Sequence, residues 1–90
     1  MTVVQLSTCF QICKMNLQRK FGLVIKEIRL EKGLSQESLA NQSDIDRTYI
    51  SDIEKGERNT SLKIIERLSE TLQISLQELF KKIEENGKYK

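Results

Sequence analysis

An all-α fold of five short helices is expected here, on three observations. The chain has no proline and only four glycines among 90 residues, and it is rich in Leu, Ile, Glu, Lys, Gln and Ser, a composition that favours helices joined by short turns. Apolar residues recur three and four positions apart over most of its length, the spacing of one helix face. One start signal also repeats: an apolar residue, a capping Ser or Asp, and a second apolar residue five positions after the first.

The elements follow in order. Leu17, Phe21, Val24, Ile25 and Ile28 fall on one face, so a first helix is expected from about Arg19 to Lys32, closed by Gly33. Leu34-Ser35 opens the second, with Ser35 as cap and Leu34 stapled to Leu39. Ile45-Asp46 opens the third in the same way, with Ile50 at the staple position and Gly56 closing it. Leu62, Ile64, Ile65, Leu68 and Leu72 mark a fourth, starting near Thr60 or Ser61. Ile74-Ser75 opens the fifth, with Leu79 as staple and Glu78 completing a capping box. The division expected is a short N-terminal extension over 1–16, one domain over 17–84 and a polar tail over 85–90.

Composition narrows the function. With 38% hydrophobic and 31% charged side chains, 90 residues suffice for one small core and no second domain. No apolar run approaches the roughly 20 residues of a membrane span. Gln5, Ser7, Thr8 and Gln11 interrupt the stretch a signal peptide would need, so a cytoplasmic location is expected. Without histidine the commonest general base and metal ligand is missing, and Cys9 and Cys13 lack companion ligands. They read as reduced, partly buried thiols. No enzyme, metal or cofactor is expected.

The second and third helices carry the informative pattern. From Gln36 to Lys55 the chain reads QESLANQSDIDRTYISDIEK, with Leu39, Ala40, Ile45, Ile50 and Ile53 facing inward and QSDI as the turn. A small residue at Ala40 lets two helices cross closely, as in a helix-turn-helix. Asp44 stands where a left-handed residue is required, a conformation that aspartate tolerates. On the third helix Ile50 and Ile53 point one way, while Arg47, Thr48, Ser51, Asp52 and Lys55 fan across the other face. Such a ridge alone would read as a solvated helix face.

Its flanks give it meaning. From about Phe21 to Phe80 the chain resembles the Cro/repressor-type helix-turn-helix (XRE) family of bacterial and phage transcription regulators, and IRLEKGLSQESLA and DRTYISDIEKGERNTSL look like controller proteins of restriction-modification systems. Asp44 replaces the usual turn glycine, and Thr60 stands where many relatives have proline. The resemblance implies a five-helix lambda-repressor-like DNA-binding domain whose third helix enters the major groove of an operator. Arg47, Thr48, Ser51 and Asp52 would then read bases, Arg47 through its guanidinium fork against guanine O6 and N7. Asp52 has two roles open to it, accepting from cytosine N4 or steadying Lys55 or Arg58. Gln36, Tyr49, Lys55, Arg58 and Asn59 become candidates for phosphate contact. Lys14, Arg19, Lys20 and Lys26 add a basic start to the first helix. The resemblance further implies a partly buried Arg29–Glu54 ion pair bracing the reading helix.

The fourth and fifth helices carry more apolar surface than one small core needs. Ile64, Leu76, Leu79, Phe80 and Ile83 are therefore expected at a homodimer interface, which would set two half-sites about one helical turn apart. The implied partners are double-stranded operator DNA, a second copy of the chain and RNA polymerase, with no small-molecule ligand. An autoregulatory controller of a restriction-modification operon is the function expected. A phage-type repressor or an antitoxin of the same fold is the alternative within the class, and a protein-interaction module without DNA binding the alternative outside it. In the extension, TVVQLSTCFQIC fits strand and helix periods alike, so strand, helix and disorder all stay open. Residues 1–14 are expected to be dispensable for operator binding, Met15 offering a second start.

Overall fold

A computed structural model describes residues 16–88, with side chains to Glu85, and contains five helices and no strand among them. They are α1 (Leu17–Glu31), α2 (Gln36–Ser43), α3 (Arg47–Lys55), α4 (Leu62–Leu72) and α5 (Leu76–Lys88). Asn16 caps α1 by accepting from the Arg19 N–H at 2.9 Å, so the domain begins with the last residue assigned to the extension. The rest of that extension lies outside the described residues. At the other end α5 runs to Lys88, taking in most of the stretch expected as a tail.

Each start is locally encoded. The Ser35, Ser61 and Ser75 hydroxyls accept from the backbone N–H three residues on, and the Asp46 carboxylate accepts from Thr48 N–H. The stops are equally specific. After α1, Leu34 N–H donates to Arg29 O and Gly33 N–H to Leu30 O, both at 3.0 Å, which is a Schellman closure with Gly33 at φ 73°. Asp44 ends α2 at φ 59°, as expected, while Gln73 ends α4 at φ 57° without any sequence signal for it.

The core forms where these helices cross. α1 packs on α3 and α5, α2 on α3 and α4, and α4 on α5. Val24 and Ile25 of α1, Leu39 of α2, Ile50 and Ile53 of α3 and Leu68 of α4 are all buried. Gly22 sets a close approach: a methyl there would overlap the Ile53 carbonyl oxygen and stand 3.1 Å from Glu54 Cα.

The expected dimer seam needs correction at two positions. Leu79 and Ile83 are buried inside the protomer, because α5 turns that part of its apolar stripe against α1. Leu76 and Phe80 remain exposed, 45% and 41%, and Ile64 is half-buried. Leu62, 83% exposed and not anticipated on the seam, extends this surface along α4.

Candidate nucleic-acid interface

The orientation of α3 follows from what it buries. Ile50 and Ile53 fill the core and Glu54 lies against α1, so the opposite face looks outward. Arg47, Thr48 and Lys55 are exposed on it, and Ser51 and Asp52 are half-buried. The Asp46 cap leaves the first turn of the helix, with Arg47 and Thr48, at the protruding end.

A polar network holds this helix from behind. Arg29 donates twice to Glu54, Nε to Oε2 at 2.7 Å and Nη2 to Oε1 at 3.1 Å, and its Nη1 donates to the Leu34 carbonyl at 2.7 Å. Gln36 Nε2 donates to Glu54 Oε1 at 3.0 Å. The network therefore ties α1, the turn after it, the start of α2 and α3 together. Both ion-pair side chains are nearly out of solvent, so each charge depends on the other. Gln36 keeps a second amide hydrogen beyond the one given to Glu54.

The far end of the ridge is organised by Arg58. Its guanidinium lies 4.3 Å from the centre of the Tyr49 ring, and its Nη2 donates to Asp52 Oδ2 at 3.0 Å. The Asp52 carboxylate is thereby drawn to Arg58, the arrangement that the bracing role needs. Asn59 accepts from Gln18 Nε2 of α1, leaving its own amide N–H groups to donate. Gln18 was not anticipated. Gly56 closes α3 at φ 76°, where a side chain would meet Arg19 Cα at 2.9 Å.

The charge pattern now resolves. The two acids within α3 are both paired, Asp52 with Arg58 and Glu54 with Arg29. Arg47 and Lys55 stand exposed on the same ridge, so a modest formal charge of +2 still presents a locally basic face. Sequence reasoning missed Gly22, whose one signal is a glycine inside a strong helical pattern.

A short exposed helix set on its predecessor by a left-handed turn is the arrangement of a helix-turn-helix protein. The family described as helix-turn-helix matches residues 25–79. Control protein C.MunI of Mycoplasma sp is 51% identical over 70 residues, covering 77% of this chain and 95% of that protein. Control protein C.BamHI of Bacillus amyloliquefaciens is 48% identical over 65 residues, covering 71% and 80%. Among solved structures, the restriction-modification controller protein C.Esp1396I, a tetramer in complex with its natural 35 base-pair operator, superposes with a TM-score of 0.76 at 42% identity, covering 81% of this chain and 96% of that one. The chain belongs to the helix-turn-helix family and, within it, to the controller proteins of restriction-modification systems.

Proposed function

We propose that this chain regulates transcription by sequence-specific DNA binding, as a homodimer on a palindromic operator that controls its own restriction-modification operon. The observation that carries the reading is the ridge of exposed Arg47 and Thr48 and half-buried Ser51 on a helix whose acids are neutralised and whose back is braced by Arg29, Glu54 and Gln36. Arg47 faces guanine, Thr48 and Ser51 offer hydroxyls or a methyl contact, and Lys55, Arg58, Tyr49, Asn59 and Gln36 hold the phosphates. Asp52 positions Arg58. The operator complex of C.Esp1396I supports the same mode of action for this chain.

Leu76, Phe80 and Leu62, which share one shallow surface with Ile65, form the face that a second copy covers. The protein works in the cytoplasm by occupancy alone, without catalysis, its own concentration being the signal. Selection of bound sequences from random duplexes tests this reading. A two-fold symmetric pair of half-sites, present in the DNA upstream of the gene, is the expected product. No enrichment over random duplex would overturn DNA reading, and a single unpaired half-site would overturn the dimer.

A further inference from the structure

Phe80 divides two apolar stretches of surface. On one side stand Leu62 and Leu76, where the second copy is placed above. On the other a half-open groove of about 150 Å³ lies between the start of α1 and α4, lined chiefly by Leu17, Phe21, Thr60, Ile65 and Phe80. A hollow of this size with apolar walls offers water few hydrogen-bond partners and is large enough for a benzene-sized ring. Leu17 stands at its edge and is 64% exposed.

The chain enters the fold at that edge. Asn16, in extended conformation, directly precedes Leu17, so the segment before it is joined to the fold at the groove's edge. In a protein with 31% charged side chains, Met1 to Cys13 carry none, and Val3, Val4, Leu6, Phe10 and Ile12 fall among them. Such a stretch lacks the charge and low hydrophobicity that keep a segment solvated. Phe10 is its one aromatic residue, six positions before Asn16. Six residues span roughly 20 Å when extended, a tether long enough to bring a ring back to the groove at whose edge the chain enters.

We propose that residues 1–15 dock on their own protomer, with the Phe10 ring in the groove between α1 and α4. The segment then continues the apolar cover beyond the dimer seam and shields Leu17 and the outer side of Phe80. Arg47, Thr48 and Ser51 are not among the residues lining the groove, whereas Asn59, a phosphate contact in the proposed function, stands at its polar edge with Gln18. The occupant is covalently attached, so its effective concentration stays high at any dilution.

The full chain has no tryptophan, so Phe10→Trp supplies a single reporter. Docking predicts emission at shorter wavelength than in the urea-unfolded chain and weaker quenching by acrylamide. Adding Leu17→Asp or Thr60→Lys at the groove should return both to solvent-like values while circular dichroism keeps its helical signal. Solvent-like emission in the folded Phe10→Trp protein would overturn the proposal. So would protection that survives both groove variants. Protection lost on dilution to monomer, with helicity retained, would assign the segment to the second copy and equally overturn docking in cis.

Discussion

Arg29 and Glu54 meet behind the reading helix in a two-pronged ion pair, 2.7 and 3.1 Å between nitrogens and oxygens, with the Gln36 amide on the same carboxylate. Removing one partner strands the other charge in the interior. Glu54→Ala should therefore cost about 3–5 kcal/mol of stability. Urea unfolding checks this. The double variant Arg29→Met with Glu54→Leu should recover much of the loss, because both charges leave together, yet operator affinity should stay low because Gln36 loses its anchor.

Gly22 marks a tight backbone crossing, α1 against the end of α3. Gly22→Ala gains helix propensity but forces the helices apart, since the obstacle is the Ile53 carbonyl and not a flexible side chain. A net loss of about 1–3 kcal/mol is expected, the range of overpacked cores. Thermal unfolding should show it, together with weaker operator binding as α3 shifts on its support.

Leu79 and Phe80 are neighbours on α5 with opposite surroundings, one buried in the protomer and one exposed on the seam. Phe80→Glu should weaken the dimer while leaving helix content intact, as read by sedimentation and circular dichroism. Leu79→Glu should unfold the protomer, because it buries a charge without a partner. An unchanged dimer in Phe80→Glu would move the interface elsewhere.

Asp52 holds Arg58 over the Tyr49 ring and puts a negative charge near the DNA face. Asp52→Asn should tighten binding to operator and random duplex alike, since it removes a negative charge beside the phosphate-binding Arg58. Fluorescence anisotropy with each duplex measures this. A loss confined to operator DNA would instead return Asp52 to base reading.

The parts of this molecule that were legible beforehand are those set by near neighbours. Ser35, Asp46, Ser61 and Ser75 cap helices through bonds spanning two or three residues, so each start is written where it acts. Asp44 was legible because its side chain tolerates φ 59°. Gln73 at φ 57° was not, because nothing in glutamine favours that conformation; the bond from Ile74 N–H to Ser69 O at 3.0 Å closes the turn around it. The α5 stripe was legible as apolar, but periodicity cannot tell which half the protomer covers, and α1 takes Leu79 and Ile83. Gly22 reads along the chain only as a weak point in a helix; its partner Ile53 is brought there by the fold. The outward polar face of α3 was visible, whereas the attachment of Asp52 to Arg58 depends on the path of the chain after Gly56.

The central claim is that the exposed first turn of α3 selects a base. Arg47 is the residue to test, since its guanidinium can pair with two acceptors on one guanine while the phosphate contacts lie elsewhere. Binding of Arg47→Ala to operator and to random duplex should be measured side by side at fixed salt. Operator affinity should fall by roughly 1–3 kcal/mol per half-site, with preference relaxed at one guanine and random-duplex affinity much less affected. An equal loss on both duplexes would make Arg47 a backbone contact and contradict this assignment of the reading face.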